Sequence, residues 1–461
     1  MAQLPFVSRP FWTGPQTPGP LRPLITFGLV ATTLVFHAPA LWGGFVYDDL
    51  NDVVRNPSAQ AATFLDRLPD MVRPLLKASY AAQDALHGMN AAAFHSVNLG
   101  LHLVVVVLVF MLLDRASRMT GAAPPQSLTI AGLAALLWSL HPAMTETVSY
   151  VSGRSMGLSA VLILAALLAA TGRKARPWLA FFCAFLAPLA RETALVAPLL
   201  LLIWQATVGQ KETVRVRVTR AAPVWMGALL AAGVIMAMPR HRELVWFSLD
   251  QRGPLDALRA NIFAVPEMFR LWLEPWRISI LPSQPVSYGW TDPPTVLRLA
   301  GLLLIPSAVL FWRKRAPLAA LALGWVIVAL LPTNSLIWRV DPVALKPLYL
   351  AGIGFSLLGA IMLAKVRFGP WLAVVLALSL GVMVFARAGL YRDEVALFAD
   401  AVAKAPQDAL AQGMLGLALA NAGQVDEARR ALDQALELDP FLTWAENARR
   451  LLEAGTPIYT P

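Results

Sequence analysis

The chain has 461 residues, 57% hydrophobic and only 14% charged, a balance far outside that of a soluble globular domain and expected of an integral membrane protein. Its formal charge of +10 could suit nucleic acid, but the basic residues fall in short clusters between apolar runs, with no basic stripe interleaved with aromatics, which argues against that partner. The single cysteine, Cys183, lies inside an apolar run and excludes an intramolecular disulfide.

In chain order, residues 1–20 read as a tail, and Leu21 to Trp42 as a first span preceded by Arg9 and Arg22. This run is too long for a signal peptide and lacks a small-residue cleavage site. Further spans are expected at about 94–113, 128–140, 156–171, 178–190, 193–208, 221–238, 296–312, 317–331, 348–364 and 371–386, which makes an all-α polytopic chain with about 11 transmembrane helices. Arg115 and Arg118; Arg173, Lys174 and Arg176; Lys211, Arg215, Arg217 and Arg220; Arg313, Lys314 and Arg315; and Lys365 and Arg367 fall in every second loop, which the positive-inside rule places in the cytoplasm with the N-terminus. The alternate connections face outward, among them a first outer loop, 43–93, and a long one, 239–294. Ala257 to Trp276 is apolar, but Glu267, Arg270 and Glu274 run down one helical face, so it is expected to be interfacial or re-entrant rather than a span.

The membrane domain is expected to cover 21–389, and the chain changes character over 390–461. Pro406 and Pro440 are 34 residues apart, with Leu415, Gly416, Ala428, Leu432 and Ala435 between them in the order of a tetratricopeptide repeat. Tyr391 to Lys404 is expected to supply the second helix of a preceding half-repeat, and Thr443 to Glu453 a closing helix.

The first outer loop begins with two adjacent acids, Asp48 and Asp49, in "FVYDDLNDVVRNP". Other ionisable groups edge the apolar runs on the same side: Arg73 and Lys77, His95 and His102, His141 and Glu146, Arg154, Arg191 and Glu192, and Lys346. Charges near membrane depth are expensive and tend to mark sites. Blander readings stay open: solvated loop acids, a helix-end ion pair at Arg191 and Glu192, a snorkelling Arg154, and histidines that pack rather than ligate. Phosphate-binding loops, zinc spacings and nucleophile elbows are absent from the sequence. Acids and cations together suit transfer of a sugar from a phosphate. The attacking hydroxyl needs a base, while the leaving phosphate needs cations rather than a proton. Because nucleotide sugars are kept in the cytoplasm, an outward-facing transferase needs a donor that crosses the membrane, and a sugar on a polyprenyl phosphate meets that need.

"FVYDDLNDVVRNP", "RPLLKASYAAQDALHGMNAAAFHSVNLGLHL", "LHPAMTETVSYVSGRSMGLSA", "ARETALVAPLLLL", "ILPSQPVSYGW", "LKPLYLAGIGF" and the 34-residue repeat, taken in order, resemble the transmembrane and tetratricopeptide-repeat protein O-mannosyltransferases, members of the GT-C glycosyltransferases. The resemblance implies a GT-C transmembrane catalytic domain with Asp49 as base and Asp48 as its helper. It implies donor-phosphate binding by Arg73, Arg154, Arg191 and Lys346, and supporting roles for His95, His102, His141, Glu146, Glu192 and Tyr349. Where relatives of this type often carry Glu-Arg before Leu-Tyr, this chain has Leu345 and Lys346.

The expected function is transfer of a single sugar, mannose by the resemblance, from a polyprenyl-phosphate donor to Ser or Thr hydroxyls of exported proteins. The expected site is the outer face of the cell inner (plasma) membrane. The expected partners are that donor, an exported acceptor protein and membrane lipids; no cofactor is expected, with a divalent metal at Asp48 and Asp49 as the alternative. The competing readings are a GT-C transferase acting on a lipid-linked or surface glycan, and a non-catalytic membrane scaffold whose repeats recruit a partner. A reporter fused after Pro461 should be active outside the cytoplasm and one fused after Arg315 inside it; the opposite pattern at both points would overturn the orientation.

Overall fold

A computed structural model describes residues 21–454 apart from 173, 252, 337, 338 and 340. The N-terminal tail with Arg9, the last residues 455–461, and Arg173 of the second basic cluster therefore lie outside the described residues. Those described are helical, with no strand among them. In chain order the α-helices are α1 (Leu21–His37), α2 (Pro74–His87), α3 (Ala91–Met119), α4 (Pro124–Ser139), α5 (Thr145–Val148), α6 (Arg154–Thr171), α7 (Pro177–Ala190), α8 (Ala197–Thr207), α9 (Val214–Ala237), α10 (Pro239–Gln251), α11 (Pro254–Leu273), α12 (Pro293–Trp312), α13 (Pro317–Leu330), α14 (Leu348–Leu363), α15 (Gly369–Leu390), α16 (Glu394–Lys404), α17 (Ala409–Asn421), α18 (Val425–Leu438) and α19 (Thr443–Glu453).

Each apolar run expected to span meets a helix, but not all are alike. Six are long and apolar enough to cross a membrane: Leu21–Trp42, α3, Val151–Thr171, α9, α12 and α15. A seventh forms if α4 and Pro142–Val148, bent by 60° at the break, count as one span. The remaining runs, at 177–190, 192–207, 317–330 and 348–363, are shorter than the roughly 20 residues a perpendicular helix needs. The chain is a multi-pass membrane protein. α13 and α14 are buried along most of their length and pack with α4 and α8 at the centre of the bundle, where side chains such as Trp138, Trp204 and Leu357 are sealed from solvent.

Side-chain contacts define the two ends of the bundle. At one end Asp114 pairs with Arg22 (3.2 Å) and Arg118 (2.9 Å), Arg220 pairs with Glu212, and Arg115 donates to the Leu168 carbonyl at 2.7 Å. The opposite end carries the first loop, the α4–α6 turn, the α7–α8 turn, α10, α11 and the loop before α14. There Asp49 accepts from Ser152, Arg73 pairs with Glu192, and Asn261 donates to the Ser335 carbonyl at 3.0 Å. The segment from Ala257 to Trp276 belongs to this second end, as α11 and the turn after it. Its polar stripe is satisfied within itself by Arg270 with Glu267 (3.8 Å) and Glu274 (3.1 Å), while Trp272 on another face stacks on His141, with ring centroids 3.7 Å apart.

The C-terminal helices form antiparallel pairs. α17 and α18 cross at Gly416, where an added Cβ would lie 2.7 Å from Leu432, so only glycine permits the approach. Helix α16 is capped by Asp393, whose carboxylate accepts from the amides of Val395 and Ala396. The core of these helices is shared with the membrane domain, because Leu397, Phe398, Ala401 and Leu417 pack in one cluster with Val46, Tyr150, Ile280 and Leu281. Arg387 at the end of α15 adds polar links to Asp400 (3.3 Å) and the Ile278 carbonyl.

Expressed alone, residues 391–461 lack that shared wall and have too few stacked helices for a closed core. They should give no cooperative thermal transition; a sharp one, followed by circular dichroism, would show that the repeat unit folds independently.

Candidate functional site

The first loop enters the site through a tight turn. Tyr47 sits in the left-handed region at φ 53°, the Asp49 amide bonds the Val46 carbonyl at 3.0 Å, and one π-helical turn, Leu50–Val54, follows. Left-handed non-glycine residues and π turns are uncommon and gather at functional sites. A second left-handed residue, Arg73 (φ 59°), stands at the head of α2, directly before Pro74.

The turn sends the two acids in different directions. Asp49 is fully buried, and its oxygens accept from the Ser152 amide (2.7 Å), the Ser152 hydroxyl (2.7 Å), the Val151 amide (3.2 Å) and the Val46 amide (3.4 Å). Burial raises its pKa to about 7 against the pull of those donors. Asp48 is half-buried and faces Lys346 and the Tyr150 hydroxyl. Burial raises its pKa too, while Lys346 draws it down. The two acids expected to work together therefore stand in different surroundings. Asp49, expected as the base, is sealed into the fold, and Asp48, expected as its helper, looks into the site. The pair also fits a shared divalent ion poorly, since both oxygens of Asp49 are already engaged by protein donors.

Opposite Asp48 stand the cations. Lys346 lies 3.9 Å from Glu146 and 4.9 Å from the centre of the Tyr150 ring. Burial lowers its pKa, and Glu146 and Asp48 oppose the fall. Arg191 is buried, donates to the Ser155 hydroxyl at 2.9 Å, and has a buried Nε with no partner among the described residues. It lines a narrow, mainly apolar cleft with Met156, Ile163, Ala329 and Leu350. Arg73 holds Glu192 through its Nε at 3.0 Å, and His241 of α10 reaches the same carboxylate at 3.3 Å. Arg339, half-buried, lies within electrostatic range of Arg73, Glu146 and Asp341.

Several expected site residues lie elsewhere. Arg154, expected at the donor phosphate, is buried among protein partners. Its guanidinium donates to Asn98 (2.9 Å), Gln83 (2.6 Å) and the carbonyls of Phe94 (3.0 Å) and Ser79 (3.3 Å), and lies over the Tyr80 ring at 4.7 Å. It fastens α2 to α3 and has little capacity left for a ligand. His95 and His102, seven residues apart on α3, contact different partners: His95 meets the Gly44 carbonyl at 3.1 Å, and His102 the Tyr349 hydroxyl at 2.8 Å. Tyr349 is thereby a core residue of the bundle, its carbonyl held by the Trp138 indole at 2.8 Å. His141 bonds the Trp272 carbonyl at 2.9 Å and fixes α11 against the α4–α5 bend. Of the remainder, Asp48, Glu146, Arg191 and Lys346 come together, with Arg73 and Glu192 beside them.

Sequence reasoning missed Tyr150, His241, Arg339 and Asp341. Arg339 and Asp341 had the signal that singled out the others, a charge at the edge of an apolar run. Tyr150 was inside a quoted motif, but a tyrosine carries no charge to mark it. Nothing in the sequence tied His241 to Glu192, 49 positions earlier.

The chain is 24% identical over 446 residues to the protein O-mannosyl-transferase F38B6.6 of Caenorhabditis elegans, an alignment covering 89% of this chain and 62% of that one. It is 24% identical over 518 residues to the protein O-mannosyl-transferase Tmtc3 of Drosophila melanogaster, covering 92% and 56%. With the protein O-mannosyl-transferase TMTC4 of Mus musculus it shares 25% over 505 residues, covering 91% and 66%. It is therefore similar to protein O-mannosyl-transferases along nearly its whole length, while spanning about three-fifths of the length of the nematode and fly relatives. No family model matches the chain, and no solved structure matches it at a significant level.

Two outcomes follow from the buried groups. Arg154→Ala leaves several buried acceptors without donors, at about 1–3 kcal/mol each, so thermal unfolding in detergent should shift down markedly. The folded fraction should still bind donor. Burial raises the Asp49 pKa from the ordinary carboxylate value of 3.8 to about 7, so its contribution to stability is complete at low pH and is lost as pH rises to about 7. Asp49→Asn should flatten that part of the stability–pH curve; an unchanged slope between pH 4 and 7 would show that Asp49 ionises freely.

Proposed function

We propose that the chain is a membrane glycosyltransferase that moves a single sugar, mannose in the first instance, from a polyprenyl-phosphate donor to a Ser or Thr hydroxyl of a protein. Transfer takes place on the extracytoplasmic face. The observation that carries the proposal is that Asp48 faces Lys346, which has Arg191 within electrostatic range, and that Arg191 itself lines a narrow, mainly apolar cleft. The similarity to protein O-mannosyl-transferases supports it.

In this reading Asp48 accepts the proton of the acceptor hydroxyl as its oxygen attacks the anomeric carbon. The bond from that carbon to the phosphate oxygen breaks, and the phosphate leaves with the bonding pair. Its charge is met by Lys346 and Arg191, with Arg73 and Arg339 behind them, in a setting where burial strengthens each attraction. Partial burial keeps the Asp48 pKa above the ordinary carboxylate range, which favours a base, while Lys346 keeps it ionisable. Glu146 holds Lys346 in place, and Glu192 does the same for Arg73. Asp49 organises the loop and does not touch the sugar. A scaffold has no use for such a cluster at membrane depth, where charge is costly.

The test is transfer by the purified full chain in lipid nanodiscs, with polyprenyl-phosphate mannose and a Ser/Thr peptide. Asp48→Asn should lower kcat by about 10² to 10⁴, the usual worth of a general base, with donor affinity retained. Arg191→Ala and Lys346→Ala should weaken donor binding instead. Transfer by Asp48→Asn at the wild-type rate would overturn the assignment, and transfer to a glycan but not to the peptide would redirect it to a lipid-linked or surface acceptor.

A further inference from the structure

Tyr47 is a bulky residue in the left-handed region, a conformation that costs of order 1–3 kcal/mol and persists only where the surroundings hold it. What holds it comes from the far end of the sequence. Its amide donates to Glu394 Oε1 at 2.6 Å, its ring meets Phe398 edge-on at 5.6 Å, and two residues before Val46 the Gly44 amide donates to the Tyr391 carbonyl at 3.0 Å. Glu394 is not needed to cap its own helix, because Asp393 already accepts from Val395 and Ala396. Its carboxylate is thus free to reach across and take the amide of another segment, in a charge-assisted bond of the stronger kind. On the other side of the turn Asp49 grips Val151 and Ser152. Asp48 lies between these two grips, and its own carboxylate faces the cations.

We propose that Glu394 is a positioning residue for Asp48, so that the C-terminal repeat unit completes the catalytic centre by fixing the direction of its base. The inference rests on the reading of Asp48 as base. Removing the carboxylate leaves the Tyr47 amide without its partner and lets the turn relax from positive φ, which swings Asp48 off line. Misplacement of a reacting group by about 1 Å costs on the order of 10² in rate. Donor affinity is untouched, since Glu394 contacts neither Arg191 nor Lys346.

Glu394→Ala, Glu394→Gln and Asp48→Asn in the full chain separate the possibilities. Glu394→Ala should lower kcat by about 10- to 100-fold with donor Kd and thermal midpoint near wild type. Glu394→Gln, which keeps an acceptor oxygen, should restore most of the rate. A role confined to docking the repeats would instead lower the thermal midpoint. Hydrogen exchange gives a readout independent of turnover: the segment 44–50 should exchange faster in Glu394→Ala, with 425–453 unchanged. If Asp48→Asn abolishes transfer while Glu394→Ala has wild-type kcat and wild-type exchange at 44–50, the positioning role is overturned and the base assignment stands. If Asp48→Asn transfers normally, the base assignment falls, and unchanged exchange in Glu394→Ala would remove the clamp as well.

Discussion

The site depends on one buried carboxylate. Asp49 has no contact with solvent and satisfies its oxygens with two backbone amides of the α5–α6 turn, one hydroxyl from that turn and one amide of its own loop. A buried acid left unpaired is costly, so the first loop cannot leave this turn without exposing several unmet groups at once. Everything the loop carries takes its position from that anchor. Asp48 is held at the mouth of the cluster because its neighbour is held beneath it.

The cations opposite obey the same constraint with the sign reversed. Lys346 and Arg191 are drawn out of water, which is tolerable because Glu146 and Ser155 partner them and because acids stand within electrostatic range. The cluster holds more positive groups than its fixed acids engage directly, and the buried Nε of Arg191 has no partner among the described residues. Arg154 shows the contrast: equally buried, it has its donors spent on α2 and α3, and it stabilises the fold rather than awaiting a ligand.

The C-terminal helices share the core beside these acids. Phe398 and Leu397 share a hydrophobic cluster with Val46 and Tyr150, residues that flank the acids, so the membrane domain and the C-terminal unit have no separate cores at their junction. Arg387 ties α15 to both Thr145 and Asp400, one residue from Glu146 on one side and within the repeat on the other. Strain at Tyr47 and Arg73, at the two ends of the first loop, is borne by partners from distant parts of the chain.

The sequence by itself determined what depends on composition and short-range order. Long apolar runs must be helices in lipid because no other open backbone structure satisfies its own polar groups, so the all-helical, multi-pass character followed from the runs' composition and length, although only six or seven of the eleven are long and apolar enough to cross. It also marked Asp48, Glu146, Arg191 and Lys346, since a charge at membrane depth is conspicuous wherever it occurs. Only the tertiary structure decided which acid of the pair is accessible. Two consecutive residues point in different directions, and which direction is inward depends on a turn held by Ser152 and Glu394, 103 and 347 positions away. The same holds for Arg154 and His241: their residue types announce charge or titration, but whether that is spent on the fold or left for a ligand depends on partners that sequence spacing does not reveal.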